Sequence, residues 1–255
     1  RSIERGNVNT RFEFNRNTKI VYKLEDDYAK YAGNEMNEIA KMLFGRKLKK
    51  SSKVEGGNNI IFKHKASLKA EEYILDITPE NIIIWSSDGA GAFYAVQTLK
   101  QLFPVEAYET PLDLEKYELP TMKISDAPHF PYRGFMLDCS RHFWSVEAIK
   151  DVLDILATHK MNRFHWHLTD DQGWRIEIKK YPKLTTIAAE RDETVIGRNS
   201  GEYDGQHYGP FFYTQEDCRE IIAYADKAVL TAADKANLNE LPSMYDAFLE
   251  FVALT

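Results

Sequence analysis

The sequence predicts an α/β protein in two parts: a small α/β sandwich, then the opening of a parallel βα array. Three observations carry this. Apolar residues recur at helical spacing in Ala32, Met36, Ile39 and Leu43, and again in Phe93, Val96, Leu99 and Phe103. β-rich runs alternate with these two stripes over the first hundred residues. Beyond a proline-dense stretch, a new order begins of strand, helix, strand, long loop and helix.

Lys19 to Leu24 is a short strand candidate, and the helix through Ala32 and Leu43 stops at Gly45, which tolerates the left-handed cap conformation. Asn59 to His64, Glu71 to Ile77 and Asn81 to Ser86 follow as strands. Ile82, Ile83, Ile84 and Trp85 are continuously apolar, the pattern of a strand covered on both faces. Asp88 then N-caps the second helix. Residues 1–103 are therefore expected to form one small α/β domain. The basic run from Arg46 to Lys53, flanked by glycines, reads as a solvated loop.

Five of the nine prolines fall between Pro104 and Pro131. Proline lacks a backbone donor and restricts the residue before it. Residues 104–131 are accordingly expected to be an extended inter-domain connection, with Leu112, Leu114, Tyr117 and Leu119 packing on its neighbours. The second domain is placed at 132–255. Arg133 to Asp138 is its first strand, and Ser145 caps a helix whose inner face carries Ile149, Val152, Leu153 and Leu156. Asn162 to Leu168 is the next strand, and a long loop runs to about Phe212. Thr214 and Asp217 resemble a capping box opening a helix with Ile221, Ile222 and Ala225.

Composition narrows the function. The chain is 44% hydrophobic and 28% charged, so a buried core is expected rather than disorder. A net charge of -6 argues against nucleic acid as partner, since phosphate binding needs clustered Lys and Arg. No apolar run approaches the ~20 residues of a transmembrane helix. A start at Arg1 rather than Met fits a processed chain. Cys139 and Cys218 read as buried free thiols, and without a Cys-x-x-Cys no thiolate metal site is expected. Aromatic residues, 13% of the chain, suit sugar stacking and a large core equally.

Polar residues crowd the C-terminal ends of the two strands in the array: Asp138, Ser140, Arg141 and His142 after the first, then His167, Asp170, Asp171, Gln172 and Trp174 after the second. Parallel βα arrays bind ligands at that end. Structural pairing of Asp with Arg, and a turn capped by Asp171, would account for the same residues.

The segments RGFMLDCSRHFW (133–144) and NRFHWHLTDDQGWRIEI (162–178) strongly resemble the first two strands of the catalytic barrel of family 20 glycoside hydrolases, the β-N-acetylhexosaminidases. IIIWSSDGAGAFYAVQTLKQLF (82–103) resembles the small α/β domain that precedes that barrel. The resemblance extends over roughly residues 1 to 226. It implies a small α/β sandwich followed by a (β/α)8-type TIM barrel, incomplete in this chain. It also implies exo-hydrolysis of terminal β-linked N-acetylglucosamine or N-acetylgalactosamine. In the family the substrate's own 2-acetamido oxygen attacks the anomeric carbon, an Asp orients that group, and the adjacent Glu acts as acid and then base. A glycan ending in N-acetylhexosamine is the implied partner, with no cofactor and no metal, in the periplasm, at the cell surface or outside the cell.

Residue by residue, Arg141 matches the family arginine that hydrogen-bonds the hydroxyls of the terminal sugar, a task suited to the fixed fork of a guanidinium. Asp170 matches an active-site aspartate that supports the catalytic machinery through hydrogen bonds. Arg133, His142, His167, Asp171 and Trp174 lie in the matched motifs and are expected in supporting or structural roles. His165 and His167 share a strand face, but no third metal ligand accompanies them.

The resemblance stops near Asp226, and residues 227–255 do not match. The family's Gly-Gly-Asp-Glu motif is absent from the sequence, so no catalytic residue is assigned. The nearest Asp-Glu pair, Asp192-Glu193, reads as part of a solvated loop. From Arg133 onward there are 123 residues, against the ~250 of a complete barrel. The alternative expectation is therefore a truncated, inactive remnant that at most binds an N-acetylhexosamine weakly. An open parallel edge would invite self-association. Leu241, Tyr245, Phe248 and Val252 form an apolar helical stripe able to cover part of it. A join across a missing segment and a truncated gene product are equally compatible with the tail.

Overall fold

In a computed structural model that describes residues 1–23, 27–198 and 200–227, the chain divides at Pro131. The first unit holds β1 (Ser2–Arg5), β2 (Arg11–Asn15), β3 (Lys19–Val21), α1 (Lys30–Phe44), β4 (Lys49–Ser51), β5 (Asn59–His64), β6 (Tyr73–Ile77), β7 (Asn81–Ser86), α2 (Gly89–Lys100), β8 (Lys116–Pro120) and β9 (Met122–Asp126). Seven of these strands make a mixed sheet in the order β1-β9-β6-β7-β5-β3-β4, and β2 pairs separately with β8.

The helical stripe of α1 is its buried face: Ala32, Met36, Ile39 and Leu43 are all sealed from solvent. Gly45 ends the helix at φ 69°, where its N–H bonds to the Lys41 carbonyl at 2.9 Å. Asp88 caps α2 by accepting the Gly91 N–H on Oδ1 at 2.7 Å, while its Oδ2 accepts the Glu71 N–H at 2.8 Å. Helix α2 then packs on β6 and β7 and against α1.

Three expectations change here. Residues 104–131 are not an extended connection: β8 and β9 lie inside the first unit, with β9 hydrogen-bonded between β1 and β6. The prolines punctuate rather than prevent these strands. Pro104 precedes a short 3-10 turn, Pro120 closes β8, and Pro128 and Pro131 follow β9, leaving five-residue strands free between them. The run Ile82–Trp85 is not covered equally on both faces. Ile82 and Ile84 are fully buried while Ile83 and Trp85 are half-buried, so the strand alternates. Lastly, the basic run holds the short edge strand β4, paired in parallel with β3.

The second unit is built on β10 (Gly134–Asp138), α3 (Val146–Thr158) and β11 (Arg163–His167). Strands β10 and β11 pair in parallel from Gly134 opposite Arg163 to Asp138 opposite His167. A two-residue ladder, β12 (Thr169–Asp170) with β13 (Gly173–Trp174), follows at once, then α4 (Lys183–Thr186) and α5 (Gln215–Lys227). Ser145 accepts the Ala148 N–H at the start of α3. Thr214 and Asp217 exchange bonds ahead of α5: Asp217 Oδ2 accepts the Thr214 N–H at 2.8 Å, and Thr214 Oγ1 accepts the Asp217 N–H at 3.1 Å.

The core of this unit gathers Cys139, Ile149, Leu153, Leu156, Tyr213 and Ile221, with Phe143, Trp166 and Cys218 packed against it. Both cysteines are free thiols, Cys139 buried as expected and Cys218 only half-buried; burial raises the pKa of each, that of Cys218 to about 11, so neither is a reactive thiolate. Phe135 and Met136 on β10 remain exposed. The stripe Leu241, Tyr245, Phe248 and Val252, like the tail beyond Lys227, lies outside the described residues.

Leu153→Ala, which empties a fully buried position in α3, is expected to cost about 2–5 kcal/mol. Ile155→Ala, on the exposed side of the same helix, should stay within about 0.5 kcal/mol. Urea denaturation of the two variants checks the contrast.

Candidate functional site

Parallel pairing sets Asp138 beside His167 at the shared end of β10 and β11. Just past that end, both segments turn. Asp138 Oδ1 accepts the N–H groups of Ser140 and Arg141 at 3.0 and 3.1 Å, an Asx-type turn that brings Arg141 back to the strand ends. The Cys139 N–H donates to the His167 carbonyl at 2.9 Å and carries the pairing one step further. On the other side the β12–β13 hairpin delivers Asp170 and Gln172, and Asp170 Oδ1 accepts the Asp171 N–H at 2.9 Å.

Four side chains then converge on the Arg141 guanidinium. Nη1 lies 2.7 Å from Asp170 Oδ2 and 3.0 Å from Asp138 Oδ2, and Nε donates to Gln172 Oε1 at 2.7 Å. His167 Nε2 is 3.0 Å from Asp170 Oδ2 and 3.1 Å from Arg141 Nη1. One ring nitrogen cannot donate to the carboxylate and accept from the guanidinium together. Donation to Asp170 satisfies both charged groups, and the contact with Arg141 is then only proximity. Nη2 of Arg141 has no partner among the described residues, and the side chain is 49% exposed. The Asp170 carboxyl is held below its ordinary range, chiefly by the Asp171 backbone N–H, then by the His167 ring, with the Arg141 charge adding to them.

The remaining expected residues fall into supporting places. Arg133 donates from Nε to the Lys160 carbonyl at 2.8 Å, and its N–H bonds to Asn162 Oδ1, tying the start of β10 to the turn before β11. His142 meets Trp144 and Tyr208 through its ring, at 5.0 and 6.2 Å between centroids. Asp171 acts on Asp170 chiefly through its backbone N–H, with a smaller contribution from its side chain. Trp174 donates its indole N–H to the Ile176 carbonyl at 2.7 Å. His167 lies against both Asp170 and Arg141. Asp192 and Glu193 are exposed on the long loop. Among the described residues no group of three or more His, Cys, Asp or Glu is placed to hold a metal ion, and no helix is long and apolar enough to cross a membrane.

Two arginines that the sequence reading passed over sit directly behind the cluster. Arg175 is fully buried and bonds to the carbonyls of Ser140, Gln172, Ala189 and Phe211. Arg191 bonds to the carbonyls of Arg141 and Gln172. Strand alternation in WRIEI would point Arg175 outward. The signal for the opposite is the glycine two residues earlier: a Cβ on Gly173 would come within 2.2 Å of Arg175 Nη2, so only glycine leaves room for the guanidinium to fold back.

Residues 1–127 match the model for glycosyl hydrolase family 20, domain 2, and residues 130–232 that for glycosyl hydrolase family 20, catalytic domain. This chain belongs to glycosyl hydrolase family 20. The family's catalytic domain is a TIM barrel preceded by a smaller domain, and the chain covers only part of that arrangement. A β-hexosaminidase of Porphyromonas gingivalis is 48% identical over 164 residues, which is 64% of this chain and 20% of that protein. The exo-β-N-acetylglucosaminidase of Vibrio harveyi, solved in complex with N-acetylglucosamine, superposes with a TM-score of 0.74 at 38% identity, covering 90% of this chain and 34% of that one. The β-N-acetylhexosaminidase of Streptomyces coelicolor gives a TM-score of 0.74 at 31% identity, over 89% of this chain and 43% of that one. The chain thus spans from about a fifth to less than half of the length of these relatives.

The lowered Asp170 pKa has a signed consequence. Folding favours the ionised form, so its stabilisation is complete above the ordinary Asp pKa of about 3.9 and is lost as pH falls through the lower folded value. The Tm difference between the natural chain and Asp170→Asn should narrow as pH falls below about 4. Thermal melts on either side of that pH check it.

Proposed function

We propose that the enzyme to which these residues belong removes terminal β-linked N-acetylhexosamine from glycans, and that Arg141, Asp170 and His167 form part of its grip on the terminal sugar. The observation that carries this reading is the state of Arg141. Its guanidinium is fixed on one side by Asp138, Asp170 and Gln172, while Nη2 keeps two N–H donors without a partner among the described residues. Rigid, pre-oriented donors at the open end of a parallel strand pair suit the hydroxyl oxygens of a pyranose. Asp170, kept ionised, remains a pure acceptor, holding Arg141 and the His167 ring in place.

In the proposed reaction the sugar's acetamido oxygen attacks its own anomeric carbon as the glycosidic oxygen leaves with a proton, and water then opens the cyclic intermediate with retention. That chemistry calls for an Asp-Glu pair, and no Gly-Gly-Asp-Glu occurs in the 255 residues. The role proposed for the present residues is therefore binding and orientation, and cleavage is proposed for the enzyme as a whole. The same observation supports a second reading, that this chain by itself binds an N-acetylhexosamine weakly and does not turn it over.

Titration calorimetry of the chain with N-acetylglucosamine tests the binding role. Arg141→Ala should weaken binding by roughly 10–100-fold, the equivalent of about 1.5–3 kcal/mol for hydrogen bonds from a charged group. An isotherm that the substitution leaves unchanged ends the proposal. Chromophore release from a chromogenic N-acetylglucosaminide, assayed on the enzyme as a whole, tests the cleavage; the second reading expects binding and no release from these 255 residues alone.

A further inference from the structure

The two buried-side arginines have a common target. Arg175 donates through Nη2 to the Ser140 carbonyl at 2.9 Å, with Nε at 3.2 Å from the same oxygen, and Nη2 lies 3.4 Å from the Gln172 carbonyl. Its Nη1 bonds to the carbonyls of Ala189 at 2.6 Å and Phe211 at 2.9 Å. Arg191 donates through Nη2 to the Arg141 carbonyl and through Nη1 to the Gln172 carbonyl, each at 3.1 Å. The carbonyls on both sides of the Arg141 Cα are thus held, and so is the carbonyl of Gln172, whose side chain accepts from Arg141 Nε. The Ser140 hydroxyl adds a bond to the Gly173 carbonyl at 2.7 Å.

Arg191 is itself fixed. Its guanidinium lies over the Tyr208 ring, 3.9 Å from the centroid, and its backbone exchanges both hydrogen bonds with Tyr208, at 3.0 and 2.9 Å. Tyr208 in turn accepts the Phe143 N–H on its hydroxyl at 2.8 Å, two residues beyond Arg141. Neither arginine hydrogen-bonds a carboxylate among the described residues, and Arg191 acts on the Asp204 carboxylate only through its charge. For the fully buried Arg175, a charge is a poor choice where stability alone is wanted, since an apolar side chain of similar volume commonly serves as well. A guanidinium, however, offers five donors in one plane and can bind carbonyls from several segments at once.

We propose that Arg175 and Arg191 are positioning residues: together they clamp the main chain at 140–141 and 172, and so set the orientation in which Arg141 meets the sugar. The clamp rests on the sugar-binding reading of Arg141 for its purpose, but not for its test. It also ties the long loop between β13 and α5 to the turn after β10 through main-chain carbonyls.

The test reads Arg141 directly in the full chain. In an amide and arginine 15N–1H spectrum, the Nε–H signal of Arg141, identified by its loss in R141K, reports its bond to Gln172. In R191A that signal should shift or broaden, and affinity for N-acetylglucosamine should fall by about tenfold, the lower end of what removal of groups orienting a metal ligand costs. Millimolar guanidinium should restore the signal and the affinity together, and the Arg141 Nε–H signal is the readout that a loss of stability alone would leave in place in the folded variant. An Arg141 Nε–H signal unmoved in folded R191A overturns the proposal. If R191A does not fold, R191K keeps the stem and charge but cannot bridge both carbonyls, and an unmoved signal there overturns it equally. Failure of the natural chain to bind N-acetylglucosamine would instead strike the proposed function, leaving the spectral outcome to decide the clamp.

Discussion

Everything at the candidate site depends on the in-register parallel pairing of β10 with β11. That pairing brings Asp138 level with His167, and only from there do the turns after each strand reach a common space. A slip of one residue would carry every side chain of a strand to its opposite face. The register is held from the side by α3, whose Ile149, Leu153 and Leu156 bury against the strand pair with Cys139, Tyr213 and Ile221. Packing thus determines which polar residues can meet, and the polar residues contribute little to the packing.

Loops that carry functional groups are ordinarily the least restrained parts of a fold. Here the turn after β10, the hairpin after β11 and the long loop before α5 are bound by their own carbonyl oxygens to one sealed guanidinium. Main-chain carbonyls cannot be lost by substitution, so such an arrangement fixes loop geometry while leaving the neighbouring side chains free to vary. Gly173 is the local condition for it, because the guanidinium occupies the volume a side chain would take.

Much of this was legible in the sequence, and the misses have physical causes. Strands β5 and β7 and both long helices of the first unit follow from apolar spacing and from the caps Gly45 and Asp88, since those signals are local. β1, β2, β8 and β9 were not read, because pairing across more than a hundred residues leaves no local trace in exposed or proline-bounded segments. At the site, the motif residues Arg141, Asp170 and His167 are brought together. Arg175 and Arg191 were passed over for a different reason. Charged residues are usually exposed, and what makes these two exceptions is a set of main-chain acceptors contributed by distant segments, which residue types do not reveal.

The charge balance around Arg141 bears on the kind of ligand that fits. A half-exposed ion pair contributes only about 0–1 kcal/mol to stability, so two of them around one arginine are poorly explained as a device for holding the fold. Nor do they suit an anion. With Asp138 and Asp170 both at hydrogen-bond distance, the guanidinium charge is already more than balanced, and a phosphate or carboxylate brought to Nη2 would meet two like charges nearby. What remains attractive is the directional part of the interaction: N–H donors held at a set angle, facing an acceptor that need carry no charge. Hydroxyl oxygens answer that description, and a neutral sugar presents several of them in a fixed arrangement. On the proposed reading, the same carboxylates that would repel an anion orient the donors for a neutral polyol, and a single arrangement would then serve both selectivity and binding.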